Sequence, residues 1–212
     1  MTQPVVELPL PSDVVEPLVA GHVEMFAAVL TQAWDALAHV RSVAPRQMSG
    51  AGASTRGMLV SDFTREPAHR LFESVSGVSV DDRYGRPWVS LSGGRVQVRF
   101  RKLTPSLQIC VSDSDRATRL AFHLGDPLLP DLPEATVLTA GYVLDAAEMA
   151  IERMALVCHI GSRVHYVLDL PGGAASVPAP TQLTMVPLSA PIIRSARAAA
   201  AQRLAQRASG DA

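Results

Sequence analysis

The spacing of apolar residues changes at Gly77, and that change decides the fold class. Before it, from about 16 to 40, apolar or small residues recur in steps of three and four: Val19, His22 or Val23, Phe26, Leu30, Ala33 or Trp34, Leu37 and Val40. Such steps draw one apolar stripe along an α-helix. After it, residues 78–82, 87–91 and 95–103 alternate in steps of two, as strands do. Three more strands are expected at 136–144, 151–160 and 163–170. Their connectors are short, and strands joined by short turns pair antiparallel. The expected fold is therefore α+β: a mostly antiparallel sheet packed on one face by a long N-terminal helix and shorter helices.

Local signals fill in the organisation. The opening 1–15 carries three prolines without a period and reads as an extended arm. Pro17 suits the first position of the long helix, where its missing N–H costs nothing. That helix is either the packing spine of the domain or a dimer seam. Residues 41–57 are rich in Gly, Ser and Ala and read as a loop. A shorter helical stretch over 55–75 is expected to be divided by Pro67, whose ring clashes with the preceding turn. Ser92-Gly93-Gly94 makes the tight turn of the clearest hairpin. Residues 114–124 read as one short helix capped by Ser114 or Asp115. A single α+β domain is thus expected over 16–170, then a Pro/Gly/Ser linker over 171–190 and a basic Ala/Arg tail over 191–212.

Composition narrows the function classes. With 212 residues, 48% apolar and 18% charged, the chain can bury a real core, and wholesale disorder is excluded. A net charge of −1 excludes a globally basic nucleic-acid binder. The charge is segregated, however: residues 80–120 hold eight basic groups against four acids, and residues 1–40 hold five acids and no Lys or Arg. Cys110 and Cys158 sit in apolar runs and read as small buried hydrophobes, although one disulfide between them stays open. The first basic residue is Arg41, so the charged start of a secretory signal is missing, and no unbroken apolar run nears the roughly 18 residues of a membrane span. A cytoplasmic protein with no membrane, cofactor or metal requirement is expected.

Strand 95–103 offers the most informative chemistry. Alternation sends Val96, Val98 and Phe100 to the core and Arg95, Gln97, Arg99 and Arg101 to the other side, with Lys102 at the end. Like charges on one strand face repel and are expected to meet water or an anionic partner. Arg83, Arg86 and Trp88 extend this candidate nucleic-acid surface, with Trp88 as a stacking platform for RNA or DNA. The ordinary alternative is a solvated sheet face neutralised by Asp81, Asp82, Asp113 and Asp115. A second constellation is Asp62, Arg65 and His69, whose spacing suits one helix face. There Asp62 would orient His69 as a base and Arg65 would steady a phosphate, unless the three are a surface ion-pair triplet. His159 and His165, with Tyr166 beside them, form a weaker candidate pair. No zincin, P-loop, nucleophile-elbow or dinucleotide pattern occurs.

Three segments carry a family resemblance: RVQVRFRKL, then ATRLAFHLGDPLLPDLPEATVLTAGYVLD, then the closing G-x-R-x-H-Y-x-L-D-L stretch. Over about 54–170 they resemble a poorly characterised family of bacterial proteins encoded beside helix-turn-helix or metallopeptidase-like regulators. The upstream STRGMLVSDF matches that family's helix more loosely, since the His beside its Asp is missing next to Asp62. The resemblance implies an interaction protein, one component of a toxin–antitoxin-like or phage-related regulatory pair, with a helix-turn-helix regulator as partner. The alternatives are a nuclease-type enzyme using the basic strand and a homo-oligomeric structural protein. Whether the chain is an enzyme stays open at this point.

Overall fold

Six strands lie side by side in the order in which the chain makes them. The computed structural model describes residues 8–83, 85–110, 135–161 and 163–172. The helices come first: α1 (Ser12–Val19), a 3-10 turn (Ala20–His22), α2 (Val23–Val43), α3 (Pro45–Ser49), α4 (Ala53–Phe63) and α5 (Arg65–Phe72). The sheet follows: β1 (Val78–Arg83), β2 (Arg86–Leu91), β3 (Val96–Lys102), β4 (Thr136–Leu144), β5 (Ile151–Ile160) and β6 (Arg163–Asp169). The α+β class is as expected. All neighbours pair antiparallel except β3 and β4, which run parallel, Val96 facing Thr136 and Lys102 facing Tyr142. A parallel pair needs a crossover of a dozen residues or more, and the chain between Lys102 and Thr136 is long enough to make it.

The helical stripe packs on one face of the sheet. Phe26, Val29, Leu30, Ala33 and Leu37 of α2 are completely buried, with Val89, Val98, Leu138, Ala140 and Leu156 from the strands. Phe26 lies 4.9 Å from Phe72 of α5 and 6.2 Å from Phe100 of β3, centroid to centroid. Helix α2 is thus a packing spine, and each large side chain it buries is worth about 1.5–3 kcal/mol. Ser12–Val43 is long and apolar enough to cross a membrane by length and composition alone, and a third of its most apolar stretch is buried inside the fold.

The opposite face is covered as well, around β4 and β5. Leu103, Leu107 and Ile109 fold back onto Val143, Ala155 and Val157 as a second apolar cluster. Both faces of β5 are therefore buried, which is why it reads as an almost unbroken apolar run. Gly141 permits the return: a Cβ there would overlap the Leu103 side chain.

Boundaries differ from the sequence reading in physically simple ways. The helix starts at Ser12, inside the expected arm, so Pro17 is interior to α1. Pro17 cannot bond the Asp13 carbonyl, and α1 ends two residues later in the 3-10 turn. The expected loop 41–57 contains the end of α2, all of α3 and the start of α4. The shorter helix does divide, at Thr64 rather than at Pro67. Pro67 would clash with the carbonyl four residues earlier, that of Phe63, and Phe63 is the last residue of α4. Thr64 seals the break: its N–H reaches Val60 O at 3.2 Å and its hydroxyl donates to Ser61 O at 2.6 Å. Residues 1–7, the helix expected at 114–124, most of the linker and the whole tail lie outside the described residues.

A candidate anion-binding cleft

The end of β3 is where the sheet loses a neighbour. Strand β2 pairs with β3 only from Trp88 opposite Arg99 to Leu91 opposite Val96. The pairing stops beside Pro87, which has no amide hydrogen to give. Past that point the chain's own return takes the vacant edge. Lys102 O accepts the Cys110 N–H at 3.1 Å, while the Leu103 N–H reaches Tyr142 O at 2.8 Å. A tight turn makes the return possible, with Thr104 N–H donating to Gln108 O at 2.8 Å and Gln108 N–H to the Thr104 hydroxyl at 3.0 Å. Helix α4 lies against α2 and this end of β3. The splayed strands and the helix leave a cleft of about 660 Å³ between them.

Its lining divides by chemistry. Leu30, Val60, Phe100 and Tyr142 make an apolar wall, with the exposed Met58 near them. Ser54, Ser61 and Thr64 bring hydroxyls from α4 and its end. Arg86, Arg101, Lys102 and the Cys110 thiol complete it. Glu148, in the turn between β4 and β5, binds one corner: Lys102 Nζ donates to its Oε1 at 2.7 Å and Arg56 Nη2 to its Oε2 at 2.6 Å. Arg56 is fixed in turn by Nη1 donating to Ala51 O at 2.6 Å. The turn is braced by Asp145, whose Oδ1 accepts the N–H groups of Met149 and Ala150 at 2.7 and 3.2 Å. Glu148 itself has φ of 53°, the left-handed region that glycine favours. Among the described residues, the side chains of Arg86 and Arg101 make no hydrogen bond or ion pair. Among the described residues, three cations line this opening, and Glu148, from the recess beside it, pairs with one of them, Lys102.

Titration follows from that geometry. Hydrogen bonds from Lys102 and Arg56 hold the Glu148 carboxyl below its ordinary value. Burial pushes the Cys110 thiol up, opposed by the charge of Lys102 and assisted by that of Glu148. Burial, with the neighbouring Cys110 and Glu148, raises the Tyr142 phenol, so it stays a neutral donor across the ordinary pH range. The cleft thus holds fixed positive charge and neutral hydrogen-bonding groups, a combination that suits an anion.

The structure places the sequence candidates unevenly. Arg101 and Lys102 line the cleft. Arg95 is exposed away from it. Gln97 and Arg99 do not meet water: they are 1% and 5% exposed. Arg83 Nη1 donates to Gln97 Oε1 at 3.1 Å, and Arg99 Nε donates to the Thr139 hydroxyl at 3.3 Å. Trp88 is 4% exposed, with the guanidinium carbons of Arg83 and Arg99 at 5.7 and 5.9 Å from its ring centroid, so it is no platform for a base. The expected open basic face is corrected accordingly. Alternation was right for β3, but this side of the sheet is covered too.

Asp62, Arg65 and His69 are not brought together. Asp62 is exposed near the end of α4, whereas Arg65 and His69 lie on α5 beyond the Thr64 break. Asp82 of β1 takes the carboxylate's place, with Oδ2 at 3.3 Å from Arg65 Nε and Oδ1 at 3.6 Å from His69 Nε2. His159 is buried and its Nε2 sits 2.9 Å from Leu107 O, while His165 is exposed, so the bulge at Cys158/His159 separates them. Cys158 is buried as expected, but Cys110 is exposed, and both thiols are free. Among the described residues no group of three His, Cys, Asp or Glu could hold a metal ion.

Arg56, Cys110, Tyr142 and Glu148 were not singled out as a site in the sequence. Glu148 meets Arg56 across 92 positions and Lys102 across 46, so no local spacing signals the cluster. No family model, curated protein or solved structure matches the chain.

Proposed function

We propose that this chain acts by binding, and that its working surface is the α4–β3 cleft, which receives an anionic group of a partner or ligand. The carrying observation is that Arg86, Arg101 and Lys102 line one 660 Å³ opening which, among the described residues, no carboxylate lines, Glu148 meeting Lys102 from the recess beside it. Clefts of about 300–1,000 Å³ with an apolar wall and a few convergent polar groups are the usual form of ligand sites. Arg in particular suits phosphate and carboxylate, which its planar fork can hold through two hydrogen bonds. This supports the interaction-protein reading in a definite form: a cytoplasmic component of a toxin–antitoxin-like or mobile-element regulatory pair that grips an anion. Calorimetric titration of the intact protein with inorganic pyrophosphate tests it. Saturable binding that weakens about tenfold or more in the Arg86→Gln/Arg101→Gln variant supports the reading. Absence of binding, or binding indifferent to both substitutions, contradicts it.

One observation favours a second reading, a nuclease-type enzyme. Asp82 holds both Arg65 and His69, a carboxylate–histidine pairing at a helix–strand junction. If that pairing is chemical, His69→Ala abolishes cleavage of a single-stranded RNA or DNA probe by the pure protein. If the wild type cleaves neither probe, the ion-pair interpretation stands.

A further inference from the structure

Resting on that reading of the cleft, we propose that its ligand is a small organic phosphate of mononucleotide size, and that Glu148 is an internal stand-in for the phosphoryl group, displaced when the ligand enters.

The Glu148 carboxylate occupies the position an external anion would seek. Its two oxygens take up one hydrogen bond each from Lys102 and Arg56, at 2.7 and 2.6 Å. Lys102 lies on both the main cleft and a smaller recess beside it, so the contact sits on the boundary between them. A phosphoryl group carries about two negative charges at neutral pH and three acceptor oxygens, against one charge and two oxygens for the carboxylate. It therefore gains more from the same two cations.

The contact is also poised to open. Glu148 sits at φ of 53°, a conformation that non-glycine residues rarely adopt. Its side chain is 35% exposed, so it has water to move into. The turn that carries it is held by Asp145 through the backbone of Met149 and Ala150, not through the Glu148 carboxylate. The side chain can leave without unmaking the turn.

The remaining shape selects the rest of the ligand. Val60, Phe100 and Tyr142 present an apolar wall to the cleft, and Val60 and Tyr142 reach into the recess that Glu148 lines. Inorganic phosphate leaves that wall wet, whereas a flat ring attached to the phosphoryl group covers it. The hydroxyls of Ser54 and Ser61 can meet the polar edge of such a ring or its sugar. A mononucleotide meets both requirements and matches the volume.

The test is calorimetric titration of the intact protein with adenosine monophosphate, adenosine and inorganic pyrophosphate, on wild type and Glu148→Gln. The expected result is adenosine monophosphate binding about tenfold or more tighter than adenosine, and tighter than pyrophosphate. Glu148→Gln is expected to tighten adenosine monophosphate by about threefold to tenfold, because a competing charge is gone. A far-ultraviolet spectrum like that of wild type and a cooperative thermal transition establish that the variant is folded, and Glu148→Ala serves as the second variant. If the variants bind more weakly, Glu148 orients the cations for the ligand and the stand-in role falls. If pyrophosphate binds at the cleft and adenosine monophosphate binds no better, the organic ligand is wrong while the anion-binding reading survives. If a single-stranded oligonucleotide binds and adenosine monophosphate does not, the small-ligand proposal is overturned. If none of these anions binds, both fall together.

Discussion

Gly141 and Leu103 show how much of this fold turns on single atoms. A Cβ on Gly141 would overlap Leu103, whose burial anchors the return from β3 toward Cys110. Gly141→Ala is therefore expected to cost about 1–3 kcal/mol by overpacking, read as a shift of the urea midpoint. Leu103→Val in the same chain should recover part of that loss, and an unshifted midpoint in the single variant would contradict the packing described. The two cysteines make a second residue-scale prediction. Cys158 is wholly buried and its thiol is pushed up to about 11, while Cys110 is exposed but raised by burial. Iodoacetamide should label Cys110 alone in the folded protein, more slowly at pH 8 than a free cysteine, with a rate that climbs as pH rises. The Glu148 contact gives a third. Its carboxyl is held below its ordinary 4.5 by Lys102 and then Arg56, so folding favours the charged form. The stability it supplies is complete above the unfolded value and lost as pH falls through the lower folded one. Wild type and Glu148→Gln should differ in denaturant midpoint at pH 7 and converge as the pH falls through the lowered folded value.

At the scale of elements, most of the strands and the long helix are legible in the sequence because periodicity is a local property. Strands β4 and β5 start and end where alternation and turn residues place them. The stripe on α2 identifies Phe26, Leu30 and Leu37, which are fully buried. Phe26→Ala should therefore cost about 3–5 kcal/mol by cavity formation at the junction with Phe72 and Phe100, and a loss under 1 kcal/mol would mean that α2 does not pack there. Breaks are less legible. Pro67 announces a break in its vicinity, but its clash falls four residues upstream, so the helix ends at Phe63. Helix α3 follows from Pro45 at a helix start, a signal hidden in a segment whose Gly and Ser suggest a loop. The exposure of β3's basic side was not legible at all. Alternation tells which residues share a face, and only tertiary packing tells whether a second layer covers it.

At the scale of the whole molecule, the sheet order and the cleft depend on contacts between distant parts of the chain. Short connectors predict antiparallel neighbours, and they do so correctly for four of the five pairings. The parallel β3–β4 pair follows a long connection for which local spacing gives no direction. The cleft is built from α2 and α4, the ends of β2, β3 and β4, and the return after β3 that carries Cys110. Three of its cations, Arg101, Lys102 and Arg86, were visible in or beside a basic strand, and Arg56 acquires meaning only when folding brings it to Glu148. The proposed regulatory pairing belongs to this scale as well. If the chain is the toxin of such a pair, its expression in a bacterial host arrests growth, and co-expression of its neighbouring gene relieves the arrest. No growth effect, alone or paired, removes the toxin assignment and leaves the binding function to be pursued directly.

The measurement that tests the central claim most directly uses Cys110, a reporter already in the cleft wall. The rate of its alkylation by iodoacetamide is followed in the intact protein as inorganic pyrophosphate is added at constant ionic strength. An anion held by Arg86, Arg101 and Lys102 should slow labelling saturably, and the Arg86→Gln/Arg101→Gln variant should lose that protection. A labelling rate unchanged across the titration, or slowed equally in the variant, would show that no anion is held in the cleft and would contradict the account.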